Sequence, residues 1–309
     1  MTTKNRLITI RAFQITHTQI SIPTDNSIFS QLKNKLPNTV AEDRVMILNQ
    51  DDENKESDLI SGFTLSENNI CATMMRILPN ADDTHIDREL MKKHSFSIND
   101  LSKHSNNAAA IYKNHFYICF NNNFLVTNLP QNITIKRVEN YLNWLLNTHI
   151  YEITPIIIPS PDLKLSNIST IKFSNHPDLQ NNVQNPTSII EDKKVFLSKN
   201  ILNIVKNLFI DTQSLKDIDL EQIVHAELLI KLKKPKTMSD IEFQNTYGSL
   251  LKPISDSDNI VFCDKNGNKI KGSEILKTKT VSIELNSNNY ISEQQLFIEM
   301  QRFIDEISQ

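Results

Sequence analysis

The sequence predicts an α+β fold of two domains, each built from antiparallel hairpins packed with a few amphipathic helices. Apolar runs follow one another directly in the first half, instead of alternating with helices as a parallel sheet requires. Turns rich in Asn or Gly join several of these runs, as at Asn121-Asn122-Asn123 and Asn266-Gly267. A stretch with Pro177, Pro186 and many Asn, His176 to Asp192, then separates two independently patterned halves. The expected domains are residues 1–175 and 193–309, with 176–192 as the linker.

Leu7 to Ile15 alternates apolar and polar positions and reads as the first strand. Ser27 to Leu36 places Ile28, Phe29, Leu32 and Leu36 on one helical face, with Asp25 or Asn26 as cap and Pro37 as stop. Val45 to Leu48 is a short strand, and the acidic run Asp51 to Asp58 reads as a solvated hairpin tip. Leu59 to Leu65 and Ile70 to Leu78 are the arms of a hairpin around Ser66 to Asn69. Pro79 to Asn107 shows little periodicity and reads as a connection. His115 to Phe120 and Phe124 to Thr127 make the clearest hairpin, because consecutive Asn tolerate the positive φ of a tight turn. Val138, Tyr141, Leu142 and Leu145 then fall at helical spacing, with Trp144 and Leu146 widening the stripe. Glu152 to Ile158 and Ile168 to Phe173 complete this half as strands.

In the second half, Leu197, Ile201, Ile204, Val205 and Leu208 specify a helix, and Leu220 to Val224 a shorter one. Glu227 to Lys236 reads as a strand that runs out into lysines and stops at Pro235. Ser239 to Glu242 is a capping box opening a helix that reaches Pro253. Ile260 to Cys263 enters a hairpin through the turn Lys265 to Asn268, and Val281 to Leu285 is a further strand. A second capping box, Ser292 to Gln295, opens the closing helix.

The 309 residues carry a net charge of −3, and four glycines cannot compose a phosphate-binding loop or a dinucleotide fingerprint. No run reaches the length of a membrane helix and Met1 to Arg11 lacks a signal-peptide core, so the expected location is cytoplasmic. Cys71, Cys119 and Cys263 are far apart in apolar runs and read as buried thiols. No cofactor or metal is expected. His85, Asp87 and Glu89 form the densest ligand set but lie in a connection, where solvated side chains explain them better. Asp51, Glu53 and Lys55, or Glu191, Asp192 and Lys193, supply the residue types of a metal-dependent nuclease, without an apolar strand to hold them rigid.

Charge is segregated along the chain. From Ile230 to Thr280 ten Lys stand against six acidic residues, while the remainder holds 23 basic and 30 acidic. The expected phosphate contacts are Lys231, Lys233, Lys234 and Lys236 at the strand end and Lys265, Lys269, Lys271, Lys277 and Lys279 around the hairpin. The plain alternative is a solvated edge kept from aggregating.

Several segments resemble the RexA-like proteins, the cytoplasmic partner in lambda-type Rex phage exclusion, to which the DNA-binding component of the Kiwa defence system is similar. Ile230 to Lys234 resembles that family's lysine-rich strand end, Ile260 to Ile270 its short strand and turn, and Ser292 to Ile307 its closing helix. Ser27 to Leu36, Phe96 to Leu101 and His115 to Leu146 resemble its early helix and central hairpin. Pro235 and the acidic balance depart from the pattern. The resemblance implies a non-enzymatic homodimer that binds duplex DNA without sequence preference, senses phage infection, and signals to a membrane-protein partner. With the wide apolar stripe of the last helix, it points to Leu296, Phe297, Met300, Phe303, Ile304 and Ile307 as the dimer surface. The competing readings are a metal-dependent nuclease effector and a protein-interaction module without DNA binding.

Overall fold

The computed structural model describes residues 4–17, 27–48, 55–78, 85–101, 108–130, 134–158, 168–174, 227–231, 260–264, 267–285 and 290–309. Antiparallel sheets with packed helices give the α+β class. The chain divides into two compact units, Met1–Ile156 with Lys277–Gln309, and Ile157–Leu276. This corrects the expected domains at 1–175 and 193–309. A strand before the supposed linker pairs with strands beyond it, and a strand near the C-terminus returns to the first one.

In the first unit, β1 (Asn5–His17) lies one strand in from the edge of a nine-stranded sheet. Along one edge it meets β8 (Tyr151–Pro155) and β13 (Thr278–Glu284), and along the other β7 (Phe124–Thr127). The sheet continues through β6 (Ala108–Phe120), β4 (Ile70–Leu78), β3 (Ser57–Leu65) and β2 (Met46–Ile47), while β5 (His85–Asp87) pairs with the start of β6. Period-two alternation sends successive side chains of β1 to opposite faces. Phe13 and Ile15 pack beneath α1 (Ile28–Lys35) and α3 (Ile135–Leu145), and Ile8, Ile10 and Ala12 beneath α5 (Glu293–Ser308). The sheet is therefore covered on both faces.

That arrangement decides the fate of the last helix. Leu296, Phe297, Met300, Phe303 and Ile304 are at most 9 % exposed, and Ile307 packs against the same cluster. These six residues are core within one chain and not a dimer surface. A helix stripe as wide as this one covers a sheet face as well as it covers a second subunit, and periodicity cannot distinguish the two. Ser292 caps α5 by accepting from Gln295 N, but the Gln295 side chain accepts from Glu284 N at 2.8 Å, so the expected reciprocal box is only half made.

Other expectations shift locally. Ser27, rather than Asp25 or Asn26, caps α1, accepting from Ser30 N at 3.2 Å. Pro79 to Asn107 is no plain connection: it contains β5, the short helix α2 (Arg88–Met91) and a capped turn at Ile98–Asp100. Asp58 is not in a solvated tip. It is a buried residue of β3, gripped by both arms of Arg137 from α3, and burial pushes its carboxyl up while Arg137 draws it back. Cys71 and Cys119 oppose each other in the β4–β6 register, Cα atoms 4.0 Å apart, and are joined as a disulfide, whereas Cys263 is not. Their separation of 48 residues hid that pairing from the sequence.

The second unit holds a four-stranded antiparallel sheet in the order β10 (Glu227–Lys231), β9 (Ile168–Ser174), β11 (Ile260–Asp264), β12 (Lys269–Lys271). A four-residue helix, α4 (Gly272–Ile275), follows β12. The stretch 176–192 and the helices expected around Leu197 to Leu208, Leu220 to Val224 and Ser239 to Pro253 lie outside the described residues.

Candidate nucleic-acid interface

The hairpin of β11 and β12 forms where Asn-Gly predicts it. Gly267 takes φ +87°, a value that L side chains resist, and the Asp264 carboxylate accepts from Asn268 N at 2.8 Å and from its Nδ2 at 2.9 Å. Asp264 is thereby tied into the turn.

Register then sorts the lysines. Lys231 stands opposite Thr170, Thr170 opposite Cys263, and Cys263 opposite Lys269. Two residues along, Leu229, Lys172, Val261 and Lys271 make a second row. Positions directly opposed, or two apart on one strand, share a face of a sheet. Lys231, Lys172, Lys269 and Lys271 therefore occupy positions on a single face. The intervening positions on β11 and β12, Phe262 and Ile270, are 0 % and 8 % exposed and define the other, apolar face. Lys269 and Lys271 are exposed and Lys172 is half-buried. Three strand spacings of about 4.8 Å separate β10 from β12, so the face is about 14 Å wide, close to four base-pair rises of 3.4 Å.

The sequence had grouped nine lysines around one surface, and the structure divides them. Lys231, Lys269 and Lys271 share the face. Lys277 and Lys279 belong to the first unit, at the entry to β13 and within it, where Lys279 is bonded to Glu306 and lies 5.9 Å from the Phe303 ring centre. Lys277 and Lys279 lie near the hairpin in sequence, but β13 belongs to the other sheet, paired with β1. Lys233, Lys234, Lys236 and Lys265 lie outside the described residues. Lys172 also shares the face, and one lysine in an apolar run gives no signal until the register of its neighbours is known.

Among the described residues, no three His, Cys, Asp or Glu converge as metal ligands. The carboxylates at Asp51, Glu53, Glu191 and Asp192 lie outside those residues. Trp144 does not widen the core stripe of α3: it is 41 % exposed and leans on Tyr141, ring centres 5.7 Å apart. No helix among the described residues is long and apolar enough to cross a membrane. The chain matches no known family model and no curated protein.

Proposed function

We propose that the protein binds duplex DNA without sequence preference through the lysine face of the second unit, and that it acts as a cytoplasmic infection sensor in a RexA-like phage-exclusion system. The observation that supports this reading is the antiparallel register placing Lys231, Lys172, Lys269 and Lys271 on one face opposite Phe262 and Ile270. Lysines spaced along a sheet meet phosphates as point charges and carry no base-reading geometry. The resemblance in the sequence extends the proposal to a homodimer and a membrane-protein partner. With the stripe of α5 buried, the homodimer rests on that resemblance alone.

A mobility-shift titration of a duplex fragment against salt, with and without magnesium, tests the reading. Retention at low salt without cleavage is expected. Replacing Lys231, Lys269 and Lys271 with Ala should weaken binding to all duplexes alike and flatten the log-log salt slope by up to about 3 units, near 0.9 per phosphate contact. Magnesium-dependent cleavage would favour the nuclease reading instead. Unchanged affinity and slope in the triple variant would reduce the face to a solubilising one.

A further inference from the structure

Among the described residues, the sheet of the first unit leaves a gap between β1 and β6. β7 is four residues long, and it pairs with β1 from Arg11 to Gln14 and with β6 from Ile118 to Phe120. Adjacent strands lie about 4.8 Å apart, so β1 and β6 stand about 9.6 Å apart where β7 ends, and the gap beyond is one strand wide. A cleft of about 380 Å³ occupies it, lined by Arg6 to Thr9 of β1 and by His115 and Tyr117 of β6, with Asn128 and Pro130 at the β7 end.

The backbone on both sides of this gap points inward. Ala12 N donates to Lys277 O on the β13 side, and Ile15 N donates to Asn123 O on the β7 side, so the odd-numbered residues of β1 address the line of β7. Thr9 and Leu7 continue that series past the last residue of β7. On β6, Asn128 N donates to Tyr117 O, while Tyr117 N donates to the Asn128 side-chain oxygen at 2.7 Å, so odd residues there address the same gap and His115 is next. Among the described residues, the N–H and C=O of Leu7, Thr9 and His115 have no hydrogen-bond partner. Continuing the register would set Pro130 opposite His115, and proline has no N–H for its carbonyl. β7 accordingly stops.

The side chains favour one kind of occupant. Arg6 is exposed and has no acidic partner among the described residues, and no carboxylate lines the cleft. Glu293 is engaged beside the cleft, accepting from the Tyr117 hydroxyl at 3.3 Å. His115 adds no positive charge near neutral pH: Tyr112 meets its Nδ1 at 2.5 Å and burial pushes its pKa down to about 4. Leu7, 73 % exposed, and Tyr290, 43 % exposed, offer apolar surface at the rim.

We propose that this gap is a strand-addition site for an extended segment of a partner protein, free of proline over about four residues and bearing an acidic side chain for Arg6. The segment pairs through its backbone with Leu7 and Thr9 on one side and with His115 on the other, completing the sheet. This site lies in the first unit and does not depend on DNA binding by the second.

The test uses the full chain. Hydrogen exchange of the protein alone should show the amides of Leu7, Thr9 and His115 exchanging at least a hundredfold faster than those of Ile8 and Ile10, which face β13. A displayed library of random nine-residue peptides should then enrich proline-poor, acidic sequences whose binding protects those three amides. Thr9→Pro removes an N–H that has no partner among the described residues, so it should leave the fold intact and weaken the enriched peptides at least tenfold; Arg6→Glu should do likewise. Should Thr9→Pro unfold the protein, N-methylation of alternate amides in the peptide makes the same cut from the ligand side. Amides already protected in the protein alone, no enriched peptide, or binding that ignores both proline and N-methylation would each overturn the proposal. Dimerisation of the chain that Thr9→Pro abolishes would assign the gap to a second copy and overturn it as well.

Discussion

In the first unit, most described basic side chains that meet a partner meet one inside the same chain, whereas the sheet of the second unit carries lysine positions along a single face. Arg44 is the extreme case: wholly buried, it donates to the carbonyls of Ile60, Thr39 and His94 at 2.7 to 2.9 Å and of Leu36 at 3.4 Å. Arg137 holds Asp58, Arg11 donates to Leu129 O, and Arg76 and Lys113 both reach Glu56. Lys269, by contrast, stands exposed beside a buried Ile270. The guanidinium satisfies several converging carbonyls at once, while an ammonium on a flexible stem suits a solvated face. Equal formal charges thus tie segments together inside the first unit and stand in register along one sheet face in the second.

The sharpest way to break this contrast is Arg44→Met, which leaves four inward carbonyls without their donor. It should lower stability by about 3–5 kcal/mol in a urea titration. A loss below about 1 kcal/mol would mean that water replaces the guanidinium and that the first unit does not depend on its internal charges. Met300→Ala should cost about 2–5 kcal/mol, as a cavity between α5 and the sheet, and should leave the mass by light scattering unchanged. A change in mass without a loss of stability would return α5 to the role of an interface.

Protonation of His115 probes the same unit. Its pKa in the folded chain, about 4, lies below the unfolded value near 6.5, so folding favours the neutral ring. The stabilisation is complete above pH 6.5 and is lost as pH falls toward 4, amounting to up to roughly 3 kcal/mol. His115→Phe should flatten that part of the stability profile, and a profile identical to the wild type would assign the loss to other groups. The smallest effects separate the units most cleanly: Lys269→Ala and Lys279→Ala should each change stability by no more than about 0.5 kcal/mol. Only Lys269→Ala should flatten the DNA salt slope, by about 0.9.

Local pattern carried the elements and non-local pairing did not. Alternation in Leu7 to Ile15, the Asn turn after Phe120 and the stripe through Val138, Tyr141 and Leu142 all correspond to elements at those positions. Nothing in Val281 to Leu285 says that it will lie beside residues 5–11, because an antiparallel partner is chosen by burial of whole faces across a long sequence separation. The domain boundary, the dimer surface and the disulfide all failed for that reason. The candidate interface was half legible for the same cause. Lysines at 231, 269 and 271 stood out by density, but their common face follows from β9, whose Thr170 and Lys172 set the register between them.

The pairing along β1 also bears on how this chain could have come to be. β8 ends opposite Phe13 and β13 begins opposite Arg11, and Ala12 between them accepts from Ile156 and donates to Lys277. The two segments are one interrupted strand on the same edge, and the whole second unit issues from the break. Ile157 and Leu276 bridge as the chain departs, so its two ends leave side by side. Splicing Ile156 directly to Thr278 would restore an unbroken register against β1, and the shortened polypeptide should fold as the first unit alone. The chain thus passes from the first unit to the second and back through two adjacent crossings, Ile156 to Ile157 and Leu276 to Lys277.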